Sequence, residues 1–202
     1  MISTKFAVLL SLVFFIFTLL DWTKSTSHYL VKKVLDCLFN ICAYISITLL
    51  SKDMSVSKVQ PISKILYSIA IIVIFISFIF LFVFEAKLFF KIKTSPRSIY
   101  ITAILNIFLI VLMAFSSINY LIYFLFPSSY LIPVGLSFPE VCFEFVYYTF
   151  NLMITFGETS ICATSVLAKT MQMLEIAFFY IAIGICISGL INRMHGQEQN
   201  LS

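Results

Sequence analysis

Thr155, Phe156, Gly157, Glu158 and Thr159 place two hydroxyls, a glycine and a carboxylate in successive positions of an otherwise apolar stretch. What such a set offers is oxygen: side-chain hydroxyls, a carboxylate, and backbone carbonyls that a glycine leaves free to turn. Carbonyl oxygens that replace a hydration shell, and rings of carboxylates, are the two established ways to select cations. The chemistry expected is therefore the passage of a monovalent cation, K or Na, with no cofactor and no resident metal. Bond-making chemistry is not expected, so the chain does not read as an enzyme. His28 and His195 are isolated at helix ends, no His/Asp/Glu cluster exists, and no Ser-centred elbow appears.

Such a segment must be presented by structured elements. The aromatic stretch before it is too short, and with Glu140 and Glu144 too charged, to span a bilayer. It reads as a re-entrant helix that dips in and turns back. Non-helical backbone at membrane depth is tolerated only where it is buried in protein or lines a water-filled path. Ser137, Pro139 and Glu140 form a helix start with a capping-box pattern. The helix then runs to about Ile154, and its C-terminal end, with partial negative charge, points at the membrane centre, where a cation needs help.

Composition sets the broad class. Mean hydropathy is +1.08, with 61% apolar and 11% charged residues, which marks an integral membrane protein. Ile65 to Phe84 and Ile99 to Phe126 carry no charge and are long enough to cross. Phe6 to Leu20, Val34 to Leu50 and Thr170 to Ile191 are further candidates, the last carrying Glu175. A place at the outer interface would make Glu175 inexpensive, and a structural hydrogen bond is favoured over a gating role. The fold expected is all-α integral membrane, with about five transmembrane helices plus one re-entrant pore helix and filter loop.

The 13 basic residues are scattered at helix ends, which speaks for topology and not for nucleic acid. With the re-entrant segment opening outside, Lys24, Lys32, Lys33, Lys87, Lys91, Lys93, Arg97 and Arg193 lie inside, and Lys5, Lys52, Lys58, Lys64 and Lys169 outside. That split obeys the positive-inside bias and leaves the C-terminus cytoplasmic. Lys5 and the apolar run after it lack a small-x-small cleavage pattern, so an uncleaved first span anchored by Trp22 is expected. Cys37, Cys42, Cys142, Cys162 and Cys186 show neither metal spacing nor a disulfide framework and read as buried apolar thiols.

Pro127, Pro133, Gly135 and Pro139 mark an extracellular turret. Tyr120, Tyr123, Tyr130, Tyr147 and Tyr148 fall near one interface and suggest an anchoring belt. Ala177, Gly184 and Ser188 share one face of the last helix, where small residues allow close packing or line a cavity, with Gly184 a candidate hinge. No span carries a basic residue at every third position, as a voltage sensor would, and no repeated halves suggest a transporter.

Tyr148 to Ala168 resembles, without a gap, the pore domain of tetrameric potassium channels of the two-transmembrane bacterial type. Phe150 and Thr155-Phe156-Gly157 sit where that family has its pore-helix aromatic and the start of Thr-Val-Gly-Tyr-Gly. Leu167-Ala168-Lys169 falls where it often has Leu-Ala-Arg, and Leu174-Glu175 opens the inner helix in a similar way. The resemblance covers about 50 residues, a quarter of the chain. It implies a homotetramer in the plasma membrane, with residues 94–202 as the pore unit and 1–93 as three peripheral spans. Where the family has Tyr-Gly-Asp, this chain has Glu158-Thr159-Ser160. A β-branched residue at the second glycine position resists positive φ. The outer half of a potassium-type filter is therefore not expected, and Glu158 stands in its place above Thr155–Gly157. The implied function is a cation-channel subunit with weak or altered potassium selectivity. The alternative is a non-conducting scaffold or regulatory subunit of channel ancestry.

Overall fold

The computed structural model describes residues 61–91, 97–154 and 159–198. Helix makes up 85% of these, so the packing is helix on helix. In order come α1 (Pro61–Lys91), α2 (Arg97–Leu125), a 3₁₀ turn (Pro127–Ser129), strand β1 (Tyr130–Leu131), α3 (Phe138–Met153), strand β2 (Cys162–Ala163) and α4 (Val166–Glu198). Two segments, Tyr100–Leu125 and Val166–Met194, are long and apolar enough to cross a membrane. The candidate spans Phe6 to Leu20 and Val34 to Leu50 lie outside the described residues.

Aromatic and aliphatic side chains at helical spacing join α1, α2 and α4. Phe78, Phe82 and Phe89 from α1 bury against Tyr100, Ala103, Ile107, Ile110 and Phe115 from α2, and against Ala182 and Cys186 from α4. Phe78 meets Phe178 at 5.1 Å and Phe115 at 5.4 Å between ring centroids, both edge to face. That arrangement is favoured over stacking because the positive ring edge meets the negative face. Near the end of α1, Phe89 lies against Tyr100 at 4.6 Å and covers Gly189 of α4. Arg193 sits over the other partner in this contact, Tyr100, at 5.0 Å from the ring centroid.

A second cluster surrounds α3. Phe145 is fully buried, with Tyr120, Tyr123 and Tyr130 at 5.9, 5.5 and 5.3 Å. The expected tyrosine belt is thereby corrected. Tyr120, Tyr130 and Tyr148 are core residues, Tyr123 is half-buried, and only Tyr147 is exposed. Phenol rings suit a membrane interface and a packed core equally, and here α3 supplies the core.

α3 begins as its local chemistry dictates. The Ser137 amide donates to Glu140 Oε2 at 2.6 Å, with Pro139 in the first turn. At 16 residues α3 is about 24 Å long at 1.5 Å per residue, short of the roughly 30 Å hydrocarbon layer. Its two flanks are tied to each other. Tyr130 pairs with Ala163 and Leu131 with Cys162 in an antiparallel ladder. Beside it, the Thr164 and Ser165 amides donate to the Ser129 carbonyl at 2.9 and 3.4 Å, and Thr164 Oγ1 donates to the Ser128 carbonyl at 2.6 Å. Ser165 then starts α4 by accepting the Ala168 amide at 3.1 Å.

Candidate functional site

Of the expected filter residues, Thr155, Phe156, Gly157 and Glu158 lie outside the described residues. Their anchors do not. α3 ends at Met153, with the Ile154 amide still bonded to the Phe150 carbonyl at 3.1 Å. On the return side, Thr159 is half-buried and its Oγ1 donates to the Ile161 carbonyl at 2.6 Å. Ser160 Oγ donates to the Glu144 carboxylate, which ties the returning chain to the middle of α3. Ile154 on one side and Thr159 and Ser160 on the other are thus each held by a hydrogen bond.

Ala177, Gly184 and Ser188 are all exposed on α4. No atom stands within 4 Å of a Cβ placed on Gly184. The stripe facing the core is Ala168, Glu175, Ala182, Cys186 and Gly189. Glu175 and Ala177 are two residues apart, which turns them about 200° from one another on a helix. Close packing by small residues is therefore corrected within the protomer: Gly189, not Gly184, lies under a neighbour's ring. Cys142 and Cys186 are buried as expected, whereas Cys162 in β2 is exposed and free.

The polar centre that sequence reasoning did not assemble is buried among α2, β1, α3 and α4. Glu175 is enclosed by the protomer: it is 0% exposed. Asn119 Nδ2 donates to Glu175 Oε2 at 3.0 Å and reaches Thr149 Oγ1 at 3.4 Å. Tyr130 donates its hydroxyl to Asn119 Oδ1 at 2.8 Å. Burial, with Tyr148 and Glu175 nearby, pushes the Tyr130 phenol up, so it stays a donor. One asparagine therefore connects four elements, using donor and acceptor sides of its amide at once. Two oxygens in this cluster, Glu175 Oε1 and the Tyr148 hydroxyl, are buried without a hydrogen-bond partner. The signal available in sequence was an Asn and a Glu inside apolar spans. Intramembrane polar residues of that kind are functional or structural sites by default.

Among the described residues no group of His, Cys, Asp and Glu could hold a metal ion. Comparison with protein-family models, curated proteins and solved structures finds no match to this chain. The class that the fold defines is a mostly helical protein with two helices long and apolar enough to cross a membrane.

Proposed function

We propose that this chain is the pore-forming subunit of a homotetrameric cation channel in the plasma membrane, with weak or altered potassium selectivity. The observation that carries the reading is α3: a helix too short to span, standing between two helices long enough to span, and followed directly by Thr155-Phe156-Gly157. A helix whose C-terminal end faces a short hydroxyl- and glycine-bearing turn supplies negative potential and oxygen ligands for a cation. A second observation supports assembly. The spanning window of α2 is 50% buried within the protomer and that of α4 only 22%. Four copies of α4 around an axis give that open face, with Ala177, Gly184 and Ser188, a wall of the ion path. Closed symmetry is the usual way in which identical subunits build such an axis. In this reading three spans precede the pore unit at its periphery, the turret at 127–139 is external, and the C-terminus is cytoplasmic.

Ion flux from liposomes containing the purified chain, under potassium, sodium and calcium gradients in turn, tests the reading. Flux of monovalent cations that is abolished by Gly157→Val, with membrane insertion intact, supports it. Glu158→Gln should reduce flux most at low salt, where a carboxylate ring is least screened. No flux of any cation, together with a monomer in mild detergent, would sink it in favour of a non-conducting subunit.

A further inference from the structure

We propose that the buried polar cluster at α2, α3 and α4 holds one monovalent positive charge, a proton or an alkali cation, on Glu175 Oε1. Glu175 is wholly enclosed, and every contact it makes with the described residues is neutral. From α2 comes the Asn119 amide on Oε2, and from α3 come Thr149 and Tyr148. From β1 comes Tyr130, which acts on the carboxylate through Asn119, and Cys162 of β2 acts only on Tyr148. No ion pair reaches Glu175 from any described residue.

An anionic carboxylate enclosed with one amide donor and no counter-charge is among the costliest arrangements a protein can keep. Buried polar networks are stable only when each member is satisfied, and an unsatisfied member of a native network calls for a missing partner. Here the missing partner has a defined charge and address. Asn119 cannot supply it, because its amide is already committed to Glu175, Thr149 and Tyr130. Oε1 is bare, and the Tyr148 hydroxyl is bare in the same cluster. A single carboxylate needs a single positive charge, which argues against a divalent ion. Neutral hydroxyl oxygens from Tyr148 and Thr149 suit an alkali cation as additional ligands. Alternatively, a proton on Oε1 neutralises the carboxylate and makes that atom a donor, which a side-chain rotation can bring to the Tyr148 hydroxyl. Both sources satisfy the same charge. The cluster of Asn119, Tyr130, Tyr148, Thr149 and Glu175 includes none of residues 155–159, so a charge held there does not depend on whether the chain conducts.

Thermal unfolding of the full chain in mild detergent tests it without any flux measurement. In one arm, sodium and potassium replace choline at constant ionic strength; in the other, pH alone is varied. A ligand bound only by the folded state raises stability with its concentration, and a tenfold increase above its dissociation constant should raise Tm by about 3–5 °C. A rise with sodium or potassium identifies an alkali cation, and a rise as pH falls identifies a proton. Glu175→Gln, neutral and of the same size, should flatten whichever response the wild type shows. Tyr148→Phe keeps the carboxylate and the ring, and should move the response to higher ligand concentration. A wild type that is flat in both arms overturns the proposal, as does a Glu175→Gln variant that keeps the wild-type response. If Glu175→Gln does not fold, a Tyr148→Phe variant that responds as the wild type does overturns it equally.

Discussion

Gly184 and Gly189 invite the same substitution on the same helix with opposite expectations. Alanine is favoured over glycine in a helix interior by about 1 kcal/mol. At Gly184 nothing stands within 4 Å of the new methyl, so only the propensity gain remains. At Gly189 the methyl would overlap the Phe89 ring. That ring cannot retreat cheaply: Phe89 is 2% exposed, lies at 4.6 Å from Tyr100, and has Phe90 at 6.1 Å. Overpacking of a closed core costs about 1–3 kcal/mol. The propensity gain is common to both variants and cancels between them, so the overpacking cost alone separates them. For a chain of this size each kcal/mol moves Tm by about 2–4 °C. Gly184→Ala should therefore melt above Gly189→Ala by roughly 2–12 °C in mild detergent. Adding Phe89→Leu to Gly189→Ala should recover part of the gap, because the smaller side chain vacates the contested volume. A Gly189→Ala variant as stable as Gly184→Ala would refute the placement of Phe89 against α4.

Asn119→Leu should cost about 2–4 kcal/mol, because it removes the donor on Glu175 and leaves the Tyr130 hydroxyl unpaired; circular-dichroism melts against Asn119→Gln would measure it. The Ser137 hydrogen bonds hold the Glu140 carboxyl below its ordinary range, so its contribution is fully present above the unfolded pKa and is lost as pH falls through the folded one. The Tm difference between wild type and Glu140→Gln should accordingly shrink on acidification below about pH 4, the unperturbed carboxylate range. Ser160→Ala should release the returning chain from Glu144, and protease cleavage or hydrogen exchange at residues 155–161 should rise while melting of the helices changes by less than about 1.5 kcal/mol.

Features encoded by neighbours in the chain are legible in the sequence. The start of α3 is, since Ser137, Pro139 and Glu140 carry the cap within four positions. So is α2, a long run without charge. Features made by distant residues are not. The β1–β2 ladder is two residues per strand, with a whole helix between the partners, and no periodicity marks so short a strand. The bond from Asn119 to Glu175 joins positions 56 apart. Helical geometry placed Ala177, Gly184 and Ser188 on a shared face correctly, but not which face meets α1 and α2. The tyrosines were misassigned for a related reason, because an amphipathic ring carries the same signature in a core as at a lipid headgroup.

The ladder between Tyr130 and Ala163 has a consequence for how this chain can change. It closes α3 and residues 155–158 into a ring whose two ends are fastened before the turn itself begins. The Thr164 and Ser165 amides on the Ser129 carbonyl double the fastening with backbone groups that no side-chain replacement removes. Loop-closure entropy is met at the ladder and grows slowly with length, so added length inside the ring carries little further cost. The residues between the clamps can therefore be exchanged without touching the clamps themselves. Tyr-Gly in place of Glu158-Thr159 forfeits the Thr159 bond to the Ile161 carbonyl, and leaves the bonds of Thr164 and Ser165 to Ser128 and Ser129 as they were. Residues 158 and 159 can therefore change from one generation to the next while the scaffold that flanks them stands still.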